Sequence, residues 1–158
     1  MDVTLIDGRS GSGKSELATL IASRITGAQL VRLDDIYPGW DGLDAASRAV
    51  PGILDTLSWR AWDWAGGRPG TLHHLRADAP IIIEGVGALS RASRERAHTA
   101  LWLEADDDVR KDRALARDGD TFEPHWDRWA RQEDRFIARE SPRDLADVVV
   151  VTAPRAQS

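Results

Sequence analysis

Gly8-Arg9-Ser10-Gly11-Ser12-Gly13-Lys14-Ser15 is the stretch that decides how this 158-residue chain is read. The octet satisfies GxxxxGK[ST] at every fixed position, and its surroundings are the ones that give that pattern meaning. Val3, Thr4, Leu5 and Ile6 form a short apolar run before it; Leu17, Leu20, Ile21 and Ile25 recur at helical spacing after it. The predicted order is strand, loop, helix. Glycines let successive backbone N–H groups turn inward around phosphates, and a helix beginning near Gly13 adds the positive end of its dipole. The octet is therefore read as a cradle for a nucleoside triphosphate. Lys14 is expected to reach the β and γ phosphates, and the Ser15 hydroxyl to ligate Mg²⁺. Of 21 basic residues only Lys14 and Lys111 are lysine, so the motif's lysine stands where the chain otherwise uses arginine.

Working outward, a second strand is predicted over 28–33, ending at the acidic pair Asp34-Asp35. Ile81, Ile82 and Ile83 followed by Glu84 and Gly85 read as a strand buried on both faces, and further strands are expected over 99–103 and 148–151. Asp106 or Asp107 can cap a helix that runs to about Ala116 and is stopped by Gly119. Pro124 suits the first turn of the next helix, whose Trp126, Trp129, Ala130, Phe136 and Ile137 lie near one face. Residues 44–78 read as helical pieces broken by Pro51, Gly66-Gly67 and Pro69-Gly70, with Trp59, Trp62 and Trp64 between the breaks. Five strands alternating with helices predict an α/β fold: a five-stranded parallel sheet with helices on both faces, in a single domain over 1–158.

Composition narrows the class of partner. The net charge is −5 and the arginines are dispersed among acidic residues, which speaks against a nucleic-acid polymer and leaves a small-molecule substrate. There is no cysteine, and His73, His74, His98 and His125 show no metal-binding spacing. Seven residues before the octet leave no room for a signal or transit peptide, and the apolar runs are too short to span a membrane. A cytoplasmic protein without a membrane partner, monomeric or weakly dimeric, is expected. The absence of asparagine removes the guanine-reading NKxD of GTPases, and no LSGGQ-like transporter signature occurs.

Three landmarks in order carry a resemblance: residues 8–15, then Leu33-Asp34-Asp35-Ile36-Tyr37-Pro38, then Ile81-Ile82-Ile83-Glu84-Gly85. Together they resemble the uridine kinase and nicotinamide riboside kinase group of small-molecule kinases with the P-loop NTPase fold. The likeness implies ATP and Mg²⁺ as cofactors, with the whole octet (Gly8, Arg9, Ser10, Gly11, Ser12, Gly13, Lys14, Ser15) on the phosphates. It implies that Asp34 accepts the proton of the attacking hydroxyl, a role suited to a carboxylate facing the loop. Ser15, Glu84 and Asp34 are the implied Mg²⁺ residues. Arg110, Arg113 and Arg117 share one helix face and resemble the arginines of a lid, here a short one around 110–124. Arg113 and Arg117 are favoured as catalytic beside Lys14. Asp35, Tyr37, Trp40, Asp63 and the tryptophans around it fall where such kinases hold the acceptor, Trp62-Asp63-Trp64 being able to stack a ring while binding a hydroxyl, and adenine contacts are expected from main chain near residues 152–155. A nucleoside-like or sugar-like acceptor is the first reading. Gluconate- or shikimate-type kinases, and a nucleotide-binding ATPase or regulatory protein without an acceptor, are the alternatives.

Overall fold

Strand β1 (Val3–Gly8) lies at the centre of a five-stranded sheet and delivers the octet to its edge. The structure, a computed structural model, describes residues 1–152. The remaining elements follow as α1 (Lys14–Arg24), β2 (Gln29–Arg32), α2 (Leu43–Thr56), β3 (Ser58–Asp63), β4 (Arg68–His74) and β5 (Ile81–Glu84). Then come α3 (Arg91–Arg94), β6 (Thr99–Glu104), α4 (Asp107–Asp118), α5 (Trp126–Glu140), α6 (Pro142–Leu145) and β7 (Val148–Val151). The sheet order is β2-β5-β1-β6-β7, and every neighbouring pair runs parallel.

Period-two alternation divides the core between the two faces of this sheet. Val3, Leu5, Val31, Ile81 and Ile83 pack with residues of α2 and α5 on one face. Ile6, Ile82 and Leu103 pack with Ala18, Leu17 and Ile21 of α1 on the other. Helices thus cover both sides, as the alternating pattern predicts. Because β1 connects through α1 to one side while its other neighbour is β6, the chain changes direction at β1. In an open parallel sheet that is where a crevice forms beyond the strand ends. Ile6 and Arg32 both stand level with Glu84 in the register, so the octet, the segment after β2 and the end of β5 meet along one edge.

Residues 44–78 differ from the sequence reading. Leu43–Thr56 is one continuous helix that contains Pro51, and β3 and β4 then form an antiparallel hairpin outside the main sheet. Two features concealed the hairpin. Pro69 and Gly70 lie within β4, where a two-stranded ribbon tolerates them because one side of each strand lacks a partner strand. An irregularity between Arg60 and Trp62 also breaks the alternation of β3. Asp106 occupies the N-cap position of α4, yet its side chain makes no capping bond; its carbonyl takes the Arg110 N–H at 2.9 Å. Among the described residues, no helix is long and apolar enough to cross a membrane.

Candidate active site

The octet turns between β1 and α1 as a loop whose shape depends on its glycines. Gly11 has φ +79°, and a Cβ there would lie 2.6 Å from the carbonyl carbon of Arg110 on α4. Only glycine allows that approach. Gly13, at φ +98°, is the N-cap of α1, so the helix dipole begins at the loop. Lys14 is buried and donates from Nζ to the carbonyl of Arg9 at 3.0 Å. That bond holds the ammonium across the mouth of its own loop.

Alternation along β5 puts Glu84 on the α1 face of the sheet, the same face as Ile82, and hence beneath the start of α1. The Ser15 hydroxyl donates to Glu84 Oε1 at 3.0 Å, and Arg32 reaches the same oxygen at 3.4 Å. Burial pushes the Glu84 carboxyl up from its ordinary range, opposed chiefly by Lys14. A hydroxyl and a carboxylate side by side form an all-oxygen donor set of the kind Mg²⁺ takes alongside phosphate oxygens and water. This pair fits the ion that the octet implies. Among the described residues no cluster of three or more His, Cys, Asp or Glu side chains is arranged around a metal.

Asp34 lies in a single 3-10 turn (Leu33–Asp35) directly after β2, with its side chain exposed toward the cleft. Its carboxylate stands 3.8 Å from the Arg117 guanidinium, which also pairs with Asp118 at 3.0 Å and donates to Ser15 Oγ at 3.4 Å. Arg117 therefore spans from the predicted metal ligand to the predicted base. Arg113, one turn earlier on α4, donates to Gly11 O at 3.4 Å and to Thr152 Oγ1 at 2.9 Å. Both arginines line the cleft. Arg110 does not: it is buried and donates to Ser10 O at 3.1 Å and to Asp107 at 2.6 Å.

These groups line one cleft of about 1540 Å³. In its lining Gly11, Gly13, Arg113 and Thr152 are joined by contacts with one another, and so are Asp34, Trp64, Trp40, Phe122 and Trp129. Thr152 is the last described residue, so the adenine contacts expected from 153–155 fall outside the described residues. Arg9 belongs to the loop but turns away from the cleft, to Glu133 at 3.2 Å and Asp134 at 2.7 Å. Ser12 is fully buried and its hydroxyl has no hydrogen-bond partner among the described residues.

The predicted acceptor residues separate into two groups. Tyr37 and Trp40 line the cleft: the Tyr37 hydroxyl donates to Val86 O at 2.6 Å, and its ring meets Trp129 edge-on at 4.7 Å. Trp40 stacks on His125 at 4.5 Å and contacts Trp64 and Phe122. Asp35 and Asp63 are not in the lining. Asp63 caps the hairpin turn, accepting the Gly66 N–H at 3.0 Å and facing Arg68. Trp64, one of the tryptophans expected around Asp63, lines the cleft and donates its indole N–H to Asp34 O at 3.0 Å.

Asp7, which no motif in the sequence marks, is fully buried and accepts the backbone N–H groups of Gly8, Gly87 and Leu89 at 2.7–3.2 Å. Burial pushes its carboxyl up to about 7 against those bonds and the pull of Lys14. An aspartate inside an apolar strand was the available signal, since such a group needs aimed donors.

No protein-family model and no curated protein sequence matches the chain. Solved structures do match in shape. A protein described as a possible uridine kinase from Bacillus stearothermophilus is 20% identical with a TM-score of 0.61, covering 94% of this chain and 88% of its own. A gluconokinase from Sinorhizobium meliloti is 18% identical at 0.59, covering 97% and 83%. A shikimate kinase from Acinetobacter baumannii, in complex with shikimate, is 14% identical at 0.57, covering 98% and 85%. At such identities the likeness speaks for the fold, and the chain has the α/β fold of these phosphate-loop kinase structures.

Proposed function

We propose that this protein is a phosphotransferase that moves the γ phosphate of ATP to a hydroxyl of a small metabolite. The observation that carries the reading is that Asp34 and residues of the octet line one cleft, with Arg117 in contact with both Asp34 and Ser15. ATP with Mg²⁺ supplies the phosphoryl group and neutralises part of its charge; Ser15 and Glu84 are the residues to hold the ion. The loop amides and Lys14 hold the polyphosphate. Asp34 orients the acceptor hydroxyl and takes its proton, and Arg113 and Arg117 meet the charge that spreads over the transferring group.

The acceptor side favours a nucleoside-like or other ring-bearing neutral alcohol over gluconate- or shikimate-type acids. Half-buried Trp40 and exposed Trp64 line it, and among the described residues the basic side chains lining the cleft are Lys14 of the loop, Arg113, which bonds Gly11 O, and Arg117, which reaches both Ser15 and Asp34. A carboxylate acceptor would meet aromatic rings and the Asp34 carboxylate, and among the described residues the lining cation that reaches Asp34, Arg117, is already paired with Asp34 and Asp118.

The test is transfer from radiolabelled ATP to a panel of neutral and acidic alcohols by wild type and Asp34→Asn. Transfer is expected to fall about 10²- to 10⁴-fold in the variant with ATP affinity kept. Unchanged transfer would remove Asp34 from the mechanism, and slow hydrolysis with no acceptor in the panel would favour the regulatory ATPase.

A further inference from the structure

Helix α5 buries two polar residues side by side, Gln132 and Glu133, on the inner face that also carries Trp129 and Phe136. A carboxylate that is 1% exposed is costly unless donors are aimed at it. The donors of Glu133 come from the phosphate loop, more than a hundred residues away. Oε2 accepts the Ser10 N–H at 2.7 Å and Oε1 accepts Arg9 Nε at 3.2 Å. The carbonyl of the same Ser10 accepts from Arg110 of α4 at 3.1 Å, and that guanidinium is itself 6% exposed. Ser10 is thus gripped at its N–H by a buried anion and at its C=O by a buried cation, from two different helices.

Gln132 does the corresponding work on the acceptor side. Its Oε1 accepts the Leu43 N–H at 3.4 Å and its Nε2 donates to Trp40 O at 2.6 Å. Neither Gln132, Glu133 nor Arg110 lines the cleft, so none of them touches a ligand there. What they set is the position of the two loops that do.

We propose that Glu133 is a positioning residue for the phosphate loop: with Arg110 it holds Ser10 so that the amide nest is formed before nucleotide arrives, while Gln132 registers the acceptor loop on the same helix. The inference rests on reading residues 8–15 as the phosphate site. A nest of backbone amides binds tightly only if the loop does not have to be ordered by the ligand. Removing the buried anion leaves the Ser10 N–H without an acceptor and the loop free to sample other turns.

The experiment is calorimetric titration of wild type, Glu133→Gln, Glu133→Ala and Gln132→Ala with the Mg²⁺ complex of a non-hydrolysable ATP analogue. It is run at a temperature where circular dichroism shows each protein folded. Glu133→Ala is expected to raise Kd about tenfold or more, and Glu133→Gln by about threefold, because its amide oxygen still accepts the Ser10 N–H. Gln132→Ala, a change at a neighbouring residue that is also buried, is expected to stay within about twofold. Unchanged affinity in the Glu133 variants, or equal weakening by Gln132→Ala, would overturn the assignment. If Glu133→Ala does not fold, Glu133→Gln decides, and an unaltered Kd there overturns it. Failure of wild type to bind the analogue would sink the phosphotransferase reading instead.

Discussion

Replacing Gly11 by alanine tests the packing of the phosphate loop on α4, and the structure supplies its own control. A Cβ at Gly11 would stand closest to the carbonyl oxygen of Arg110, 2.6 Å from its carbonyl carbon and 2.8 Å from its Cα. All of these are backbone atoms, so no side chain can swing aside; α4 itself must retreat, carrying Arg113 and Arg117 with it. Overpacking of this kind costs about 1–3 kcal/mol. The φ of +79° adds a further penalty of roughly 1–2 kcal/mol for a residue with a Cβ. Gly39 has nearly the same φ, +81°, and no atom within 4 Å of the added carbon, so Gly39→Ala bears the backbone penalty alone. At about 2–4 °C per kcal/mol for a chain of this size, the overpacking difference of about 1–3 kcal/mol means that Gly11→Ala should melt roughly 2 to 12 °C below Gly39→Ala. Circular dichroism melts of the three proteins at one pH provide the measurement. Equal melting temperatures for the two variants would refute the close contact between Gly11 and Arg110.

Two further expectations follow from buried and displaced carboxylates. The folded-state value of Asp7 is about 7, well above its ordinary 3.8, so between those values the native state holds a proton that the unfolded chain has lost. The contribution of Asp7 to stability accordingly falls as pH rises through that window and levels off above about 7. Asp7→Asn, which has no charge to bury, should gain on wild type by about 2–3 kcal/mol between pH 5 and pH 7. Urea unfolding at the two pH values checks this, and a constant difference would contradict it. Asp63→Ala should cost about 1 kcal/mol by removing the cap of the hairpin turn, a melting shift of a few degrees. The same variant should leave the KM of whichever acceptor the panel identifies unchanged, because Asp63 lies outside the cleft.

The sheet and the loop were legible because their signals are local. Continuous apolar runs such as Ile81-Ile82-Ile83 have few conformations that bury every side chain, and the octet joins strand to helix within eight residues. The hairpin was illegible because β4, Arg68–His74, is polar and holds Pro69 and Gly70, and so resembles a loop. Pro51 similarly reads as a stop, yet α2 continues past it to Thr56. In the cleft, the residues found by motif are those at fixed offsets from one another. Glu133 and Ser10, or Trp64 and Asp34, are joined only by the fold, and no spacing rule connects them.

The central claim is that residues 8–15 hold a nucleoside triphosphate, and direct titration of the protein with ATP and Mg²⁺, followed by the same titration of Lys14→Ala, tests it. Saturable binding by wild type that weakens by more than about tenfold in the variant is the result expected. No heat at millimolar nucleotide, or equal affinity with and without the lysine ammonium, would contradict it.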